Sequence, residues 1–571
     1  MAAGSMDEMP GKRSTGRVCL AAAVSVALTV FVWCRTGIHF ETNDDVYITA
    51  ILSGVITGQP DAHVIHVNYL LALPLALLYR ITVNVPWYGG MLVFFMTLCW
   101  GAMLDSAYTR CSRKLYYAPV TAALAGLFAA FYYCMGLVEF TSTAAFLAVG
   151  GYVCLLLRRN VRTGLIWFFV LELLAFLLRW EAMLMVQPPG LAAAAAAMPE
   201  RLRQKEGWRE LLKTAALLVL ILCIGGMGNL AGYHGKAWDR YRQFNDTRVL
   251  LFDYYGTPDY EEVRPILEEY GVSREKYEAY RSYMILDWKM DGSLDERMMD
   301  YMEEHQERPA GKEHLLREIY RVSVKDAPWR IQYVTGAAWG VFVLWMLLNR
   351  QWGRCLGGVL ILGARTAVWA YLVWRGRLPL RVTLPLSACE IIFLITLVWR
   401  NFGEVEAEGY KKALLLSVCG VSVLLCVRAG SGQIRHVEKT VASQQILMKG
   451  LGEIREYCDS RPGNRYLLDA HSMTYYTGSV FETDVYQPTN AVYGGGWFSN
   501  TPGTQKRLEE YLGKAPGFYF LVIAEGGQAN SGGMAYLVQE MGQEPRLADQ
   551  WTASHGGTYD VYYFEGAFPF S

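Results

Sequence analysis

The sequence is poor in charged residues, and its charges cancel. Asp, Glu, Lys and Arg make up 19% of the 571 residues, and the formal net charge is zero. An average globular chain carries roughly 25% charged residues. A neutral chain without a basic stripe lacks the electrostatic footprint of nucleic-acid binding. We therefore expect no nucleic-acid partner.

Recognisable cysteine and glycine motifs are also missing. The sequence has 12 cysteines but no CxxC pair, so neither a zinc site nor a disulfide framework is indicated. The glycine-rich Gly494-Gly495-Gly496-Trp497 lacks the Lys-Ser/Thr of a P-loop and the GxGxxG order of a dinucleotide loop. We interpret it as a turn.

Long apolar segments are what the sequence has in abundance, since 53% of its residues are hydrophobic. A helix needs about 20 apolar residues to cross a bilayer. The first run follows basic residues and has no small-residue cleavage site after it, so we interpret it as a retained helix with a cytoplasmic N-terminus. The candidate spans are 18–35, 64–81, 88–105, 118–136, 139–157, 164–180, 182–198, 211–230, 329–348, 354–373, 382–400 and 411–428.

Basic residues in short loops predict the orientation, because cytoplasmic loops are enriched in Lys and Arg. This bias places 231–328, 374–381 and 429–571 outside the cytoplasm. Twelve crossings would return the C-terminus to the cytoplasm, so we expect eleven true crossings. The segment that does not cross then lies within 64–105 or 164–198.

These patterns predict a membrane all-α helical bundle with about 11–12 transmembrane helices and two external regions. The C-terminal region alternates strands, such as Arg465–Asp469 and Phe518–Ala524, with helices, such as Gln505–Leu512, which is typical of an α/β domain. The predicted regions are a bundle at 1–230 with an acidic first external loop (36–63), an external, mainly helical region at 231–328, further membrane helices at 329–428, and an external α/β domain at 429–571.

The most distinctive polar motif is Asn43-Asp44-Asp45, soon after the first span. Adjacent carboxylates repel each other and persist cheaply only in water or around a cation. Asp44 and Asp45 offer the oxygen ligands that a divalent cation such as Mg²⁺ or Mn²⁺ prefers. One of them would alternatively take a proton from an acceptor nucleophile as a general base. A solvated helix cap is the simpler alternative.

An apolar stretch at 46–58 follows, too short to span, and we predict a helix along the membrane surface. His63, His66 and Asn68 come next, at the start of an apolar run. Polar groups in such positions usually face a cavity or the bundle interior. Packing between helices is the alternative, and it leaves them without a substrate role.

Arginines form the second polar signal. Arg375, Arg377 and Arg381 lie in a short loop that we place outside, against the positive-inside bias. A phosphate-bearing ligand would offset that cost, because guanidinium groups bind phosphate bidentately. The alternative is that the orientation is reversed and the loop is cytoplasmic.

Three further charged residues are candidates. Arg179 and Glu181 flank Trp180 between apolar segments, as a local ion pair or as the lining of a substrate cavity. Glu139 lies in a short external turn, where it is a second acid near the Asp pair or is merely solvated.

The motif Asn43-Asp44-Asp45, the 46–58 stretch, the His63–Asn68 segment and the loop Arg375–Arg381 together resemble the GT-C superfamily of membrane glycosyltransferases, which includes protein O-mannosyltransferases and the aminoarabinose transferase of lipid A. The resemblance implies an inverting transfer of a sugar from a polyprenyl-phosphate-linked donor to a wall polymer, lipid or protein at the outer face of a bacterial plasma membrane. It implies Asp44 or Asp45 as general base or metal ligand, with Glu139 as a second acid. It also implies a donor-phosphate site formed by Arg375, Arg377, Arg381 and Arg179.

Two other functions fit the same sequence. In a transporter or lipid flippase, Arg179, Glu181, Glu172 and His66 would line a translocation path, although the sequence has no detectable inverted repeat. In a non-catalytic envelope assembly protein, the C-terminal domain would bind a partner.

Overall fold

The computed structural model describes residues 10–570, apart from 198–204, 285, 287–291, 306–311, 351–354, 377, 402–408, 470–471, 473–476, 484–489, 526–527 and 530. Nine helices in this part of the chain are long and apolar enough to cross a membrane, so the protein is a multi-pass membrane protein. They are α1 (Pro10–Thr36), α4 (Trp87–Tyr108), α7 (Phe140–Leu157), α8 (Val161–Ala196), α9 (Lys205–Gly232), α15 (Ile331–Leu348), α16 (Cys355–Trp374), α17 (Leu380–Asn401) and α18 (Gly409–Asp459).

Several predicted spans take a different form. The segment predicted at 64–81 gives only the 13-residue helix α3 (Tyr69–Ile81), because the Asn68 side chain accepts a hydrogen bond from the Leu70 amide and begins the helix there. The segment at 118–136 gives α5 (Tyr117–Ala130) and the single turn α6 (Tyr133–Gly136). The spans predicted at 164–180 and 182–198 form one element, α8, with extended backbone at Arg179 (φ −160°, ψ 99°).

Helix α7 lies at the centre of the bundle, packed against α4, α8 and α17. Its alanines 144, 145 and 148 have no exposed surface, and small residues let helices approach closely. A Cβ on Gly150 would lie 2.6 Å from the Cys99 sulfur. Any larger side chain there would push α4 away from α7.

The helical region that the sequence predicts to be external follows α9. Its helices are α10 (Lys236–Leu250), a π-helical turn (Leu251–Tyr255), α11 (Tyr260–Glu269), α12 (Arg274–Arg281), α13 (Ser293–His305) and α14 (Lys312–Tyr320). The aromatic residues Tyr241, Phe244 and Tyr280 pack in one hydrophobic core with Leu467 and Phe520 of the C-terminal sheet. The helical region and the C-terminal region therefore share a single core.

The C-terminal region contains the predicted α/β sheet, and the two strands and the helix predicted from the sequence are confirmed. Its elements are β3 (Tyr466–Asp469), β4 (Ala491–Gly494), α19 (Pro502–Leu512), β5 (Gly517–Glu525), β6 (Gln528–Ala529), α20 (Ser531–Met541), β7 (Arg546–Thr552) and β8 (Thr558–Glu565). The strands are in the order β4-β3-β5-β8-β7, with β3 parallel to β4 and β5, and with β8 antiparallel to β5 and β7. Helix α18 runs without a break from the predicted span into this region.

Two very short strands join the first external loop to the start of α7. Strand β1 (His39–Phe40) pairs in parallel with β2 (Leu137–Val138), and the amide of Glu41 donates to the carbonyl of Val138 at 3.1 Å. His39 also bridges Ser479 of the C-terminal region. This end of the bundle is thereby held against the C-terminal domain.

Candidate functional site

Four carboxyl groups meet at the end of the bundle that faces the C-terminal domain. Asp44 and Asp45 lie in the first turn of α2 (Asn43–Leu52). Glu139 is the N-cap of α7, and its side chain accepts a hydrogen bond from the Ser142 amide at 2.7 Å. Because β1 and β2 are parallel and in register, Glu41 and Glu139 follow the C-terminal ends of the two strands and lie side by side.

Asp45 is fully buried, and the structure fixes both of its carboxyl oxygens. One accepts a hydrogen bond from the Tyr88 hydroxyl at 2.8 Å, and the other accepts one from the Thr42 hydroxyl at 2.9 Å. Burial and the nearby charge of Glu139 raise the pKa of Asp45 well above its usual value, against these two hydrogen bonds. Asp45 is therefore fixed inside the protein rather than presented to a substrate.

Asp44, in contrast, is only partly buried. One of its oxygens accepts a hydrogen bond from the indole nitrogen of Trp497 at 3.1 Å. Trp497 belongs to the turn after β4, more than 450 positions along the chain. The Asp44 carboxyl group thus lies where the bundle meets the C-terminal domain, and Asp44 is the more exposed residue of the adjacent pair.

Arg381, in the first turn of α17, lies between Glu41 and Glu139. Its nitrogens are 3.7 Å and 3.5 Å from the two carboxyl groups, distances longer than the 2.7–3.2 Å of an ordinary N–H···O hydrogen bond. Burial and the charge of Glu41 raise the pKa of Glu139 to about 8, although Arg381 opposes the shift. Burial also raises the pKa of Glu41. At neutral pH most of the Glu139 population is therefore uncharged.

Residues from α8 complete this side of the site. Arg179, at the extended break in α8, forms an ion pair with Glu181 at 3.0 Å and approaches a ring nitrogen of His66 at 3.3 Å. His66 stacks on Phe140, the residue after Glu139, and packs edge-on against Trp497. Contacts therefore connect the predicted residues His66, Arg179 and Glu181 to the acidic cluster.

Other predicted residues lie elsewhere. The two ring nitrogens of His63 form hydrogen bonds with the Asp61 carboxyl group at 2.5 Å and the Gly232 carbonyl at 3.0 Å, and the ring stacks on Trp238. Asn68 caps α3 and donates to the Gly225 carbonyl at 2.9 Å. The remaining members of the predicted set are Asn43, which is the first residue of α2, Arg375, whose guanidinium lies 4.2 Å from the ring centre of Tyr254, and Arg377, which lies outside the described residues.

A cavity of about 220 Å³ lies beside the first turns of α17. Leu380, Thr383, Leu384 and Ser387 of α17 line one side, and Arg381 does not line it. The other side is formed by Trp369 of α16, Ile331 at the start of α15 and the segment before it, which contributes the polar residues Ser323 and Asp326.

The acidic cluster does not have the donor arrangement of a metal centre. No group of three metal-ligating side chains occurs within the described part of the chain. Both oxygens of Asp45 already accept hydrogen bonds from hydroxyl groups. One oxygen of Glu139 accepts from a backbone amide, and Arg381 faces the other. We therefore assign no chemistry of this site to a bound cation.

Polar residues deeper in the bundle have local partners. Gln187 donates to Glu172 at 3.0 Å and accepts from Tyr152 at 2.7 Å. Glu390 binds Arg365 at 2.8 Å and the indole of Trp339 at 2.8 Å. Pairing of this kind offsets the cost of polar groups within a membrane.

Sequence reasoning missed three contributors to the site. Glu41 is two residues before the recognised motif, but only its strand pairing places it beside Glu139. Tyr88 is the second residue of α4 and looks like an ordinary interfacial aromatic residue in the sequence. Trp497 has one signal in the sequence, the three preceding glycines, which predict a turn but not its contact with Asp44.

No protein-family model matches the chain, and no curated protein matches it. The chain is similar to two crystal structures of ArnT from Cupriavidus metallidurans, one bound to undecaprenyl phosphate and one in the apo state. Their identities to this chain are 9% and 10%, with TM-scores of 0.34 and 0.35. Each similarity covers 96% of this chain and 98% of the other.

Proposed function

We propose that this protein is a membrane glycosyltransferase that transfers a sugar from a polyprenyl-phosphate-linked donor to an envelope acceptor at the outer face. The observation that carries the proposal is the position of Asp44. Its carboxyl group is partly exposed at the end of the bundle, 3.1 Å from Trp497, while the adjacent Asp45 is sealed inside.

In the proposed reaction, Asp44 acts as the general base. The acceptor hydroxyl or amine attacks the anomeric carbon of the sugar while its proton moves to the Asp44 carboxylate. The bond between the anomeric carbon and the phosphate oxygen breaks, and its electron pair stays on that oxygen. Because the acceptor attacks opposite to the leaving phosphate, the anomeric configuration inverts.

Arg381 and Arg179 are the residues that would stabilise the departing phosphate. A guanidinium group presents five N–H donors and forms strong charge-assisted bonds to phosphate. Arg381 keeps its two carboxyl neighbours at 3.5 and 3.7 Å, so a phosphate at closer range would compete well for its donors. The largely uncharged state of Glu139 at neutral pH removes one competing anion.

The position of Arg381 also suits a lipid-linked donor. A polyprenyl phosphate joins an anionic head to a long hydrocarbon chain. Arg381 lies in the first turn of the apolar helix α17, so the head would lie at the arginine while the hydrocarbon chain enters the membrane.

The test is donor consumption by membranes that carry the wild-type protein. A panel of labelled polyprenyl-phosphate sugars is supplied, and both label in the envelope fraction and released polyprenyl phosphate are measured. We expect one donor to give the two products in equal amounts. Arg381→Ala should raise the donor KM by about tenfold or more, since a charge-assisted hydrogen bond contributes ~1.5–3 kcal/mol.

Arg264→Ala is the matched control, because Arg264 lies on α11 with its side chain 57% exposed and pairs only at the surface with Glu261 and Glu268. It should transfer sugar like the wild type. Wild-type membranes that consume no donor beyond the level of membranes without the protein would contradict the proposal.

A further inference from the structure

The backbone conformation of the turn that carries Trp497 is restricted by its glycines and by a neighbouring carbonyl group. Gly495 and Gly496 have φ values of +96° and +75°, a region that favours glycine. A Cβ on Gly495 would lie 2.1 Å from the Tyr283 carbonyl oxygen. The Gly496 amide donates to that same carbonyl at 2.8 Å. The external helical region thereby fixes where the turn leaves strand β4.

The indole of Trp497 is itself held on several sides. Only 9% of the residue is exposed. Its ring packs edge-on against His66, with centroids 4.8 Å apart, and against Phe498 at 5.7 Å. Its backbone carbonyl accepts a hydrogen bond from the Tyr241 hydroxyl at 2.8 Å. The direction of the indole N–H toward Asp44 is therefore set by contacts that do not involve Asp44.

An indole has a single N–H and no acceptor. It can occupy only one of the two oxygens of the Asp44 carboxylate, which leaves the second for another partner. A carboxylate on the first turn of a short helix would otherwise rotate among several side-chain conformations. A fixed donor at 3.1 Å selects one of them.

We propose that Trp497 is a positioning residue that orients the Asp44 carboxylate for proton abstraction, so that the external α/β domain completes the active site of the membrane bundle. This inference rests on the proposed transferase function. The indole N–H that binds Asp44 belongs to the C-terminal domain and not to the membrane bundle. Correct docking of that domain is thus required for a correctly oriented base.

The experiment is a double-mutant cycle with Trp497→Phe and Asp44→Asn, read as kcat and donor KM for sugar transfer. Trp497→Phe keeps an aromatic ring against His66 but removes the N–H donor. We expect kcat to fall about tenfold to hundredfold, as for a reacting group displaced by about an ångström, while the donor KM stays within about twofold. In the Asp44→Asn background, the same substitution should have no further effect.

Two additional variants separate positioning from packing. Incorporation of 3-benzothienylalanine at position 497 keeps the bicyclic shape and replaces only the N–H with sulfur, so it should reproduce the kcat loss at an unchanged melting temperature. Phe518→Leu alters the packing inside the α/β sheet, where Phe518 stacks on Phe564, but it keeps the Trp497 donor and its ring contacts, and it should change kcat by less than about threefold.

The outcomes distinguish this inference from the proposed function. A wild-type kcat in both the Phe and the benzothienyl variants, or an equal loss with and without Asp44, would overturn the role of Trp497 while the transferase function stands. Absence of transfer by the wild type would overturn the proposed function and this inference together.

Discussion

Replacing Glu139 by glutamine should make the protein more stable at neutral and alkaline pH. Glu139 is fully buried, and its pKa rises from the usual 4.5 to about 8, chiefly through burial and the charge of Glu41. Ionisation of this group in the folded protein therefore opposes folding. A glutamine keeps the carbonyl oxygen that caps the Ser142 amide but never ionises.

The sign and size follow from proton linkage. Because the pKa is higher in the folded than in the unfolded state, the stability contribution of Glu139 is fully present below pH 4.5 and is lost as pH rises through about 8. One pKa unit corresponds to about 1.4 kcal/mol. Between the usual pKa and pH 7, the wild type should lose on the order of 3 kcal/mol that the glutamine variant keeps.

The assay is thermal unfolding in detergent at pH 5, 7 and 9 for the wild type, Glu139→Gln and the control Glu268→Gln. Glu268 lies on α11 with its side chain 59% exposed. We expect Glu139→Gln to gain melting temperature over the wild type progressively from pH 5 to pH 9, and Glu268→Gln to follow the wild type. Parallel pH profiles for the wild type and Glu139→Gln would refute the buried, uncharged Glu139.

Three further predictions concern separate parts of the structure. Burial lowers the pKa of His63, but the hydrogen bond and charge of Asp61 raise it by more, so the net pKa lies above 6.5. In thermal unfolding, the stability advantage of the wild type over His63→Gln should therefore be full below pH 6.5 and disappear as the pH rises through the raised pKa. A stability difference that does not change with pH would contradict this prediction. Asn68→Ala removes the cap of α3 together with the hydrogen bond to the Gly225 carbonyl, and it should cost at least about 1 kcal/mol in denaturant unfolding. Asn68→Ser retains a cap acceptor and should be the more stable variant of the two, and equal stability of both variants to the wild type would contradict the cap. Arg381→Lys should recover only part of the donor affinity lost in Arg381→Ala, because an ammonium lacks the bidentate geometry, and full recovery in a KM measurement would indicate that charge alone suffices.

Local chemistry made part of the site predictable. Adjacent carboxylates at Asp44 and Asp45 stand out in any apolar chain because their repulsion requires an explanation. Arg381 stands out for a different reason, because its positive charge in a loop predicted to be external opposes the positive-inside bias. The structure places these residues with Glu139 in one cluster. The different burial of Asp44 and Asp45 was not predictable, since it depends on Tyr88 and Thr42 closing over one of them.

The other features of the site depend on contacts between segments that are far apart in the sequence. A two-residue parallel strand such as β1 or β2 has too few residues for a periodic pattern, so the approach of Glu41 to Glu139 had no sequence signal. The contact between Trp497 and Asp44 depends on docking of the whole external domain.

The sequence also predicts the positions of the membrane helices better than their breaks and ends. Hydropathy located the apolar segments, but the break in α8 occurs at Arg179 without an internal glycine or proline at that point. Hydropathy predicts that the last span ends near residue 428, where the sequence becomes polar. The polar residues that follow still favour a helix, and α18 continues to Asp459.

The most direct test of the account compares sugar transfer by the wild type, Asp44→Asn and Asp239→Asn at matched expression. Asp239 lies on α10 with its side chain 61% exposed and serves as the surface control. The account predicts that Asp44→Asn loses about a hundredfold or more of the transfer rate, as removal of a general base commonly does, while Asp239→Asn retains it. Transfer by Asp44→Asn at the wild-type rate would contradict the central claim that Asp44 is the base.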